Sequence, residues 1–335
     1  MKKIYSLALV LFTSASFAQA FDVFSAVAGS NLADNGWAIH GGAASGPAVT
    51  AEGSLTYSGL TSTGNKAVIS SAGVQDVNLA SAAPILAAEG TAYYSALINV
   101  VNTTGLAANT DLAGNFFMFM GSGAGVGTAV GQYNERLYIR SGSVANTFNL
   151  GILNNSGAPI TVSYSTTDHP IATTLFIVVK FAFATNTASL FVNPTIGGTE
   201  GTAAISNATG VTAVPLSMGS VGIRQSLPTT GNIEIDEVRI GSTWAYVTAA
   251  TLLKLDQNAI AGLNVYPNPV TNGNLFITSN SSDAKTVAIY DVLGKQVIKA
   301  TTSNNVVNVS QLNGGVYILK ITENEKTATR KLIIK

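Results

Sequence analysis

The sequence lacks cysteine and has only two histidines in 335 residues. Without thiols, the chain has no disulfides, no thiolate nucleophile and no cysteine metal ligands. His40 and His169 lie far apart, and neither belongs to a His-x-x-x-His pattern, so a histidine-based metal centre is excluded as well. We predict that both histidines lie in loops or at the surface.

Charge is also scarce, since charged residues make up 10% of the chain and the formal net charge is zero. This balance argues against a nucleic-acid partner, which would require a basic patch. Residues 21–255 carry 7 basic and 12 acidic side chains, a net charge of −5, and residues 256–335 carry 8 and 5, a net charge of +3. Both values lie within the range that solubility alone produces.

No segment shows the apolar period of a capped amphipathic helix. Strand-like apolar runs recur instead, separated by turn residues. The runs at 116–120 and 175–183 are almost continuously apolar, as in strands that are covered on both faces. We therefore predict two stacked antiparallel sheets.

The N-terminus has the pattern of a secretory signal peptide. Lys2 and Lys3 precede an apolar stretch at 4–12, and Ala18-Gln19-Ala20 is a small-x-small cleavage site. We predict a signal peptide at residues 1–20, with Ala18 and Ala20 at the cleavage site. No later segment reaches about 20 apolar residues, so we expect no transmembrane segment in the mature chain.

The C-terminal region has a series of turn and strand signals. A Tyr-Pro-Asn-Pro entry at 266–269 is followed by an Asn-Gly-Asn turn, an Asp-x-x-Gly hairpin ending at Gly294, and a strand that Gly314 and Gly315 open. The last five residues, Lys-Leu-Ile-Ile-Lys at 331–335, can close a sheet. These short strands predict a small sandwich.

This C-terminal pattern closely resembles the type A C-terminal sorting domain of the type IX secretion system of Bacteroidetes. The resemblance implies an extracellular or outer-membrane-surface location, reached through the periplasm. It implies as partners the secretion machinery, its C-terminal signal peptidase and surface lipopolysaccharide. The residues that match the family's motifs act as recognition and folding determinants, and the two glycines are also explained by a need for positive φ. They are Tyr266, Pro267, Asn268, Pro269, Gly294, Gly315, Lys331 and Lys335.

The region between the two export signals resembles laminin-G-like or concanavalin A-like jelly-roll domains. The likeness runs from Phe-Asp-Val-Phe-Ser at 21–25 to Ile-Glu-Ile-Asp-Glu at 233–237 and just beyond. The predicted fold class is thus all-β, with a large jelly-roll sandwich followed by a small immunoglobulin-like sandwich. We expect the jelly roll at 21–250, a linker at 251–262 and the sorting domain at 263–335.

The jelly-roll resemblance implies a structural calcium ion. In glucanases of this fold, an aspartate in the final strand binds calcium together with backbone carbonyls from early segments. Asp236 occupies that kind of position, and Asp22 and Gly53 lie in segments that would be its neighbours. The alternative is that Asp236 pairs with Arg239 or caps a sheet edge.

The same segment does not preserve a glycosidase pattern. Retaining glucanases of this fold have Glu-x-Asp-x-Glu or Glu-x-Asp-x-x-Glu, but Val238 and Arg239 occupy the third position here. Glu237 is at odd spacing from Glu234, so we expect the two carboxylates to point to opposite faces of a strand. We predict no catalytic residue in this segment.

Carbohydrate binding requires exposed aromatic rings beside polar groups. Our candidates are Trp37, Tyr133, Asn134, Arg136 and Tyr138, and packing within the sandwich is the alternative role for these rings. Three functions remain open: a non-catalytic module that binds extracellular glycans or other surface polymers, a structural or adhesive surface protein, and a polysaccharide hydrolase with dispersed carboxylates. For the hydrolase, the carboxylates would be Glu52, Glu89, Glu135 and Asp168.

Overall fold

The computed structural model describes residues 19–42, 48–155, 161–225, 231–251, 260, 262–302, 305–324 and 326–335. The predicted signal peptide up to Ala18, and residues 252–259 and 261 of the predicted linker, lie outside this description. The chain divides into two compact units, Met1–Thr251 and Leu252–Lys335. None of the described helices is long and apolar enough to cross a membrane.

The described part of the first unit has fifteen strands and very little helix. The strands are β1 (Ala20–Asp22), β2 (Ala38–Gly41), β3 (Val49–Ala51), β4 (Lys66–Ile69), β5 (Asp76–Leu86), β6 (Thr91–Asn102), β7 (Asn115–Gly121), β8 (Tyr133–Ser141), β9 (Thr147–Leu153), β10 (Ser163–Pro170), β11 (Thr174–Ala182), β12 (Thr187–Val192), β13 (Ile205–Asn207), β14 (Ser217–Ile223) and β15 (Asn232–Gly241). One α-helical turn, α1, covers Trp244–Val247, and short 3-10 turns cover Leu32–Asp34, Ala87–Glu89, Gly127–Val130 and Phe183–Thr185.

These strands form two sheets. The eight-stranded sheet has the order β13-β12-β11-β6-β15-β4-β3, with β1 also paired to β15, and the seven-stranded sheet has the order β10-β9-β8-β7-β14-β5-β2. The chain passes repeatedly between the sheets, and neighbouring strands run antiparallel, for example Phe181 opposite Ala92 and Tyr138 opposite Gly151. The first unit is therefore a concanavalin A-like jelly roll, and the prediction of two stacked antiparallel sheets is confirmed.

The main core fills the space between the two sheets. Its buried residues alternate along each strand with residues on the opposite face, because successive side chains of a strand point to opposite sides. In β8, Leu137 and Ile139 belong to this core, whereas Arg136, Tyr138 and Arg140 lie on the outward face of the seven-stranded sheet. This alternation positions the candidate site described below.

The outward face of the eight-stranded sheet is covered by a second apolar layer. Leu97 of β6 and Phe176 of β11 pack there with Leu55 from the segment after β3 and with Trp244 of α1. Both faces of β11 are thus buried, which explains why its sequence is almost continuously apolar. The sequence prediction for this strand is confirmed.

The second unit is a small immunoglobulin-like β-sandwich. Its described strands are β16 (Asn264–Tyr266), β17 (Asn274–Thr278), β18 (Lys285–Tyr290), β19 (Gln296–Thr302), β20 (Val306–Asn308), β21 (Gly315–Glu323) and β22 (Lys326–Ile334). They form a three-stranded sheet, β16-β17-β20, and a four-stranded sheet, β19-β18-β21-β22. The predicted hairpin joins β18 to β19: Asp291 accepts the N–H groups of Leu293 and Lys295, and Gly294 has a φ of 85°.

The Tyr-Pro-Asn-Pro segment is fastened to the last strand. The Asn268 amide donates to the carbonyl of Lys331 at 2.8 Å and accepts the N–H of Ile333 at 2.9 Å, and the N–H of Lys335 bonds to the carbonyl of Val270. Asn268 therefore substitutes for backbone pairing along β22. The explanation of Gly315 by a need for positive φ is wrong. Gly315 does not have positive φ, and as the first residue of β21 it pairs with Ile334 of β22.

Candidate functional site

A row of aromatic rings lies on the outward face of the seven-stranded sheet. We call Phe119, Tyr133, Phe116, Tyr138 and Tyr164 the aromatic row; they cluster apart from the main core with Val130, Leu153 and Val162. Ring centroids are 4.3 Å apart for Phe119 and Tyr133, 6.2 Å for Phe116 and Tyr133, and 5.6 Å for Phe116 and Tyr138.

Two glycines let these rings lie flat on the sheet. A Cβ added at Gly222 would come within 2.2 Å of the Phe119 ring, and one at Gly151 within 2.7 Å of the Tyr164 ring. Any side chain at these positions would displace the rings. The sequence therefore leaves space for an aromatic surface in the middle of two strands, where glycine is otherwise unfavourable.

Two arginines flank the ring of Phe116. The guanidinium carbon of Arg136 lies 5.0 Å from the ring centroid and that of Arg224 lies 4.4 Å from it, both within cation–π range. Arg136 donates its Nε–H to the carbonyl of Tyr133 at 3.0 Å. Its two terminal nitrogens bond to no residue that the structure describes, and the ion pairs between described residues do not include Arg136. A half-buried guanidinium in this state can accept a carboxylate or sulfate in two parallel hydrogen bonds.

His40 closes one end of the row. Its ring centroid is 5.3 Å from Phe119 and 5.6 Å from Tyr133, and its Nδ1 lies 3.2 Å from the Asn78 side-chain nitrogen. Burial, followed by the nearby Arg224 charge, lowers the pKa of His40 to about 4, so its imidazole is neutral at neutral pH. The predicted loop or surface location is wrong for His40, which is a buried residue of β2, whereas His169 is partly exposed on the edge strand β10.

Tyr133 is half-buried at the first position of β8. Burial, and then the Asp76 carboxylate, raise the pKa of the Tyr133 phenol, while Arg224 and Arg136 lower it. The hydroxyl is therefore protonated at neutral pH and can donate a hydrogen bond. Tyr133, His40 and Arg136 together offer a proton donor, a neutral imidazole and a cation on one surface.

The structure brings together three of the five predicted ligand residues. Tyr133, Arg136 and Tyr138 share the aromatic row, although Tyr138 is only 4% exposed. Asn134 is fully buried and donates to the carbonyl of Gln132. Trp37 is elsewhere: it is 2% exposed, stacks on Phe24 and donates its indole N–H to Asp22 at 2.7 Å. Trp37 and Asn134 are therefore packing residues.

Sequence reasoning missed several residues of this surface. Phe116, Arg140, Tyr164, Arg224 and His40 were not among the candidates for it, although they contact its members. One usable signal was present, because Arg-Leu-Tyr-Ile-Arg at 136–140 alternates cation, ring and cation on one face of a strand. The other residues come from separate strands, which only the sheet order brings together.

The carboxylates of β15 form a different cluster, on the covered sheet. The Asp236 carboxylate accepts the N–H groups of Leu55 at 2.8 Å and Glu237 at 2.7 Å, and Glu237 pairs with Arg239 at 3.0 Å. A β-bulge shifts the register between Asp236 and Arg239, and Glu237 has a φ of 49°. The bulge interrupts the strict alternation of side chains, so the prediction that Glu237 points to the opposite face from Glu234 is wrong. The Glu237 carboxylate accepts the N–H of Thr63, in the same covering segment that Asp236 contacts through Leu55.

The predicted calcium ligands do not form a cage of acidic side chains. Asp22 accepts N–H groups from Phe24 and Trp37, so each oxygen of both aspartates already holds one N–H donor, and the Gly53 N–H bonds to Asn65. The described part of the chain contains no group of three or more His, Cys, Asp or Glu residues that could hold a metal. Burial, Glu237 and Asp22 raise the pKa of Asp236 to about 8, which a nearby cation would reverse. A calcium ion would have to share these oxygens with their N–H donors.

Two of the four dispersed carboxylates of the hydrolase hypothesis stabilise local turns. Glu89 accepts the N–H of Leu86, and Asp168 accepts the N–H groups of Ser143 and Val144. Glu135 is fully buried, with a φ of 40° and no hydrogen-bond partner for its carboxylate among the described residues. Glu52 is exposed in the turn after β3. The described residues show no hydrogen bond between any two of these four.

The structure described above consists of two β-sandwich units, and comparison with known families identifies the second of them. Residues 264–335 match the family of secretion system C-terminal sorting domains. The second unit is this sorting domain, its partner is the secretion machinery, and the protein is exported to the cell exterior or surface. Among its motif residues, Tyr266 is half-exposed and stacks on Phe276 with ring centroids 5.5 Å apart, and Lys331 lies on β22.

Two curated proteins share part of the sequence. The ulvan lyase NLR42 of Nonlabens ulvanivorans is 30% identical over 109 residues, which is 31% of this chain and 20% of the relative. An endo-acting ulvan lyase of Formosa agariphila is 33% identical over 100 residues, 28% of this chain and 19% of the relative. The chain thus spans about a fifth of the length of these relatives.

Solved structures with a similar course include sugar-binding domains. The Emp46p carbohydrate recognition domain aligns with 66% of this chain and 95% of its own, at 8% identity and a TM-score of 0.37. The legume lectin-like domain from Entamoeba histolytica aligns with 62% and 90%, at 8% identity and a TM-score of 0.34. These scores are low, and the fold assignment rests on the strand order itself.

Proposed function

We propose that the jelly-roll unit binds an acidic polysaccharide outside the cell, along the outward face of the seven-stranded sheet. The observation that carries this proposal is the Arg136 guanidinium, which lies over Phe116 without a carboxylate partner in the described structure. Aromatic rings contact the apolar faces of sugars, and a guanidinium fork binds their carboxylate or sulfate groups. This surface provides both kinds of group, with Tyr133 and Tyr164 as its half-buried rings.

The charge distribution supports an anionic ligand. The first unit has six described cations. Three of them lie on strands of the eight-stranded sheet and pair with glutamates; they are Lys66, Lys180 and Arg239. Arg136 and Arg140 lie instead over aromatic rings on the outward face of the seven-stranded sheet, and the ion pairs between described residues do not include them. A unit with an acidic balance thus places two such arginines beside one aromatic surface.

The comparisons support a polysaccharide as the anion. Both curated relatives are named for action on ulvan, and the sorting domain delivers the unit to the space where extracellular polymers occur. Because the similarity covers only about a fifth of each relative, their activity enters here as part of the proposal.

A second candidate function, cleavage by β-elimination, is favoured by the contact between His40 and Tyr133. In this reaction the proton on the carbon next to a uronate carboxylate is removed. The bond to the glycosidic oxygen then breaks, a carbon–carbon double bond forms, and the leaving oxygen receives a proton. Arg136 would stabilise the negative charge on the carboxylate, and Tyr133 and His40 would transfer the protons. All atoms balance without an oxidant or reductant.

The first test measures binding of the exported chain to polygalacturonate and, as a neutral control, to dextran. We expect binding to polygalacturonate that weakens with salt, and none to dextran. Arg136→Gln should weaken binding at least about tenfold, because hydrogen bonds to charged groups are worth about 1.5–3 kcal/mol. Lys180→Gln removes the same charge from the covered sheet and should leave binding unchanged. Equal binding by wild type and Arg136→Gln would contradict the proposal.

Cleavage is tested separately by the ultraviolet absorbance of the unsaturated product. Tyr133→Phe should retain binding and lose product formation if the surface is catalytic. A wild type that binds polygalacturonate, pectin and ulvan but releases no unsaturated product from any of them would support a non-catalytic binding module instead.

Several further features of the protein are also our proposals. The linker would span 251–262, the signal peptide would end at Ala20, and a C-terminal signal peptidase would remove the sorting domain before attachment to surface lipopolysaccharide. Terminal sequencing of the exported protein tests these processing sites. A calcium ion at Asp236, Asp22 and Gly53 is likewise a proposal, with its own test in the Discussion.

A further inference from the structure

The outward face of β8 continues past Tyr138 to a second arginine. Arg140 lies two residues beyond Tyr138 on the same face, and its guanidinium carbon is 3.7 Å from the centroid of the Tyr164 ring. One of its five N–H groups is used, in a hydrogen bond from Nη1 to the carbonyl of Asp111 at 3.1 Å. Like Arg136, Arg140 is absent from the ion pairs between described residues.

Around this arginine, three polar side-chain atoms on adjacent strands have no hydrogen-bond partner among the described residues. They are Nε of Arg140 on β8, Oδ1 of Asn149 on β9 and Oη of Tyr164 on β10. Arg140 and Asn149 face each other directly in the sheet. Buried polar groups without partners are rare in folded proteins, and three of them together indicate a place for a polar ligand.

Hydrogen bonds to neighbouring residues hold Asn149 and the Asp111 turn in place beside Arg140. Asn149 is 2% exposed, and its amide nitrogen donates to the carbonyl of Thr167 and to the Asp168 carboxylate, which leaves only its oxygen unpartnered. The Asp111 carboxylate accepts the N–H groups of Ala113 and Gly114, so it stabilises its own turn. The cluster thus offers two donors, from Arg140 and Tyr164, and one acceptor, from Asn149. An acidic sugar carries the matching acceptors and hydroxyl donors.

The spacing along β8 relates this cluster to the first arginine. Arg136 and Arg140 are four residues apart, which at about 3.4 Å per residue places their Cα atoms about 14 Å apart on the same face. Tyr138 lies between them on that face. The strand therefore presents cation, ring and cation in a line.

We infer that Arg140, Tyr164 and Asn149 form a second anion-binding subsite, which binds another acidic sugar of the polymer held at Arg136. This inference rests on the proposed function and extends it. The ligand is then a linear polysaccharide with negative charge repeated along its length, and it runs parallel to β8. A single acidic sugar would engage only one of the two arginines.

The test compares a polymer with a monomer of the same sugar. Binding of polygalacturonate and of galacturonate is measured for the full chain, for Arg140→Gln and for Arg136→Gln. We expect Arg140→Gln to weaken polymer binding about tenfold and galacturonate binding at the Arg136 subsite less than twofold. The Arg136→Gln, Arg140→Gln double variant should bind the polymer more weakly than either single variant.

Two further variants separate the subsite from the fold. Tyr164→Phe removes only the unpartnered hydroxyl and should weaken polymer binding severalfold with an unchanged unfolding midpoint. Arg140→Lys keeps the charge but loses the fork, and it should fall between wild type and Arg140→Gln. Polymer binding by Arg140→Gln and Tyr164→Phe at wild-type strength would overturn the second subsite while leaving the proposed function intact. Failure of the wild type to bind polygalacturonate would instead remove the proposed function and this inference with it.

Discussion

The two outward faces of the jelly roll differ in how their charged groups are treated. On the eight-stranded sheet, Glu237 pairs with Arg239 and Asp236 accepts two backbone N–H groups, beneath a covering layer that includes Leu55 and Trp244. On the seven-stranded sheet, Arg136 and Arg140 lie over aromatic rings without carboxylate partners in the described structure. The charges of the covered face are paired within the fold, whereas we propose that the arginines of the seven-stranded sheet, the open face, bind a ligand.

The comparison also shows why aromatic residues alone do not identify a binding surface. Tyr93 and Tyr94 are consecutive in β6, and both are almost fully buried, one under the covering layer and one in the main core. Tyr93 donates to Glu200 at 2.9 Å, and Tyr94 to the carbonyl of Glu135 at 3.0 Å. A tyrosine whose hydroxyl bonds to another residue of the fold has a packing role. The hydroxyl of Tyr164 differs, because it has no hydrogen-bond partner among the described residues.

The largest expected effect comes from breaking the buried ion pair of the covered face. Arg239→Met leaves Glu237, which is 3% exposed, with the Thr63 N–H as its one remaining hydrogen-bond partner among the described residues. We expect the free energy of unfolding to fall by about 3–5 kcal/mol, as for other buried charges that lose a partner. Denaturant unfolding of the full chain measures the change.

Arg136→Met is the matched control on the open face. Because the described structure shows no carboxylate paired with Arg136, its replacement should lower the free energy of unfolding by about 1 kcal/mol or less. The Glu237→Gln, Arg239→Met double variant should recover part of the stability, since it removes the buried charge. Equal losses for Arg239→Met and Arg136→Met would show that the two faces do not differ in this way.

Much of the fold could be predicted from the sequence because its signals are local. Turn residues, alternating strands and the doubly apolar run of β11 all follow from the immediate neighbours of each residue. The sorting domain could also be predicted, because its entry segment, hairpin and last strand follow one another closely along the sequence. Arg136, Tyr133 and Tyr138 were found for the same reason, since they lie within six residues of one strand.

The rest depended on contacts between distant residues. Asp236 bonds to Leu55 across 181 positions, and this contact helps to decide which face of the eight-stranded sheet is covered. The bulge at Glu237 interrupts an alternation that the sequence gives no reason to doubt. His40 joins the aromatic row only because β2 lies at the edge of the seven-stranded sheet. Trp37 was misassigned because its partner, Asp22, is fixed by the tertiary structure.

Protonation of Asp236 on the covered face should have a smaller effect on the free energy of unfolding. The folded-state pKa of Asp236 is raised to about 8 by burial, Glu237 and Asp22, so the folded protein retains a proton that the unfolded chain loses near pH 4. The free energy of unfolding should therefore decrease as pH rises from about 4 through about 8, by an amount of the order of a few kcal/mol. Asp236→Asn should remove this dependence in denaturant unfolding experiments at pH 5, 7 and 9.

The same unfolding experiment, repeated with calcium and with EDTA, tests the predicted calcium site. A bound cation would lower the pKa of Asp236, so the wild type should lose its pH slope in calcium and regain it in EDTA if the predicted site is real. Identical slopes in calcium and EDTA would refute the calcium site. A slope in EDTA that Asp236→Asn leaves unchanged would mean that another buried acid, such as Glu135, is responsible, because burial also raises the pKa of Glu135.

Protonation of His40 on the open face should change the free energy of unfolding in the opposite direction, and by a smaller amount. Burial and Arg224 lower the pKa of His40 to about 4, while Asp76, Tyr133 and Arg136 are the other titratable or charged groups of this end of the row. The unfolded chain binds a proton at this histidine below about pH 6.5 and the folded protein does not, so stability is lost as pH falls from about 6.5 to about 4. His40→Gln should flatten this acid limb by about 2–3 kcal/mol and leave the slope between pH 7 and 9 unchanged. Because the two residues lie on different sheets, Asp236→Asn should in turn spare the acid limb, and a single variant that altered both limbs would mean that the faces are coupled.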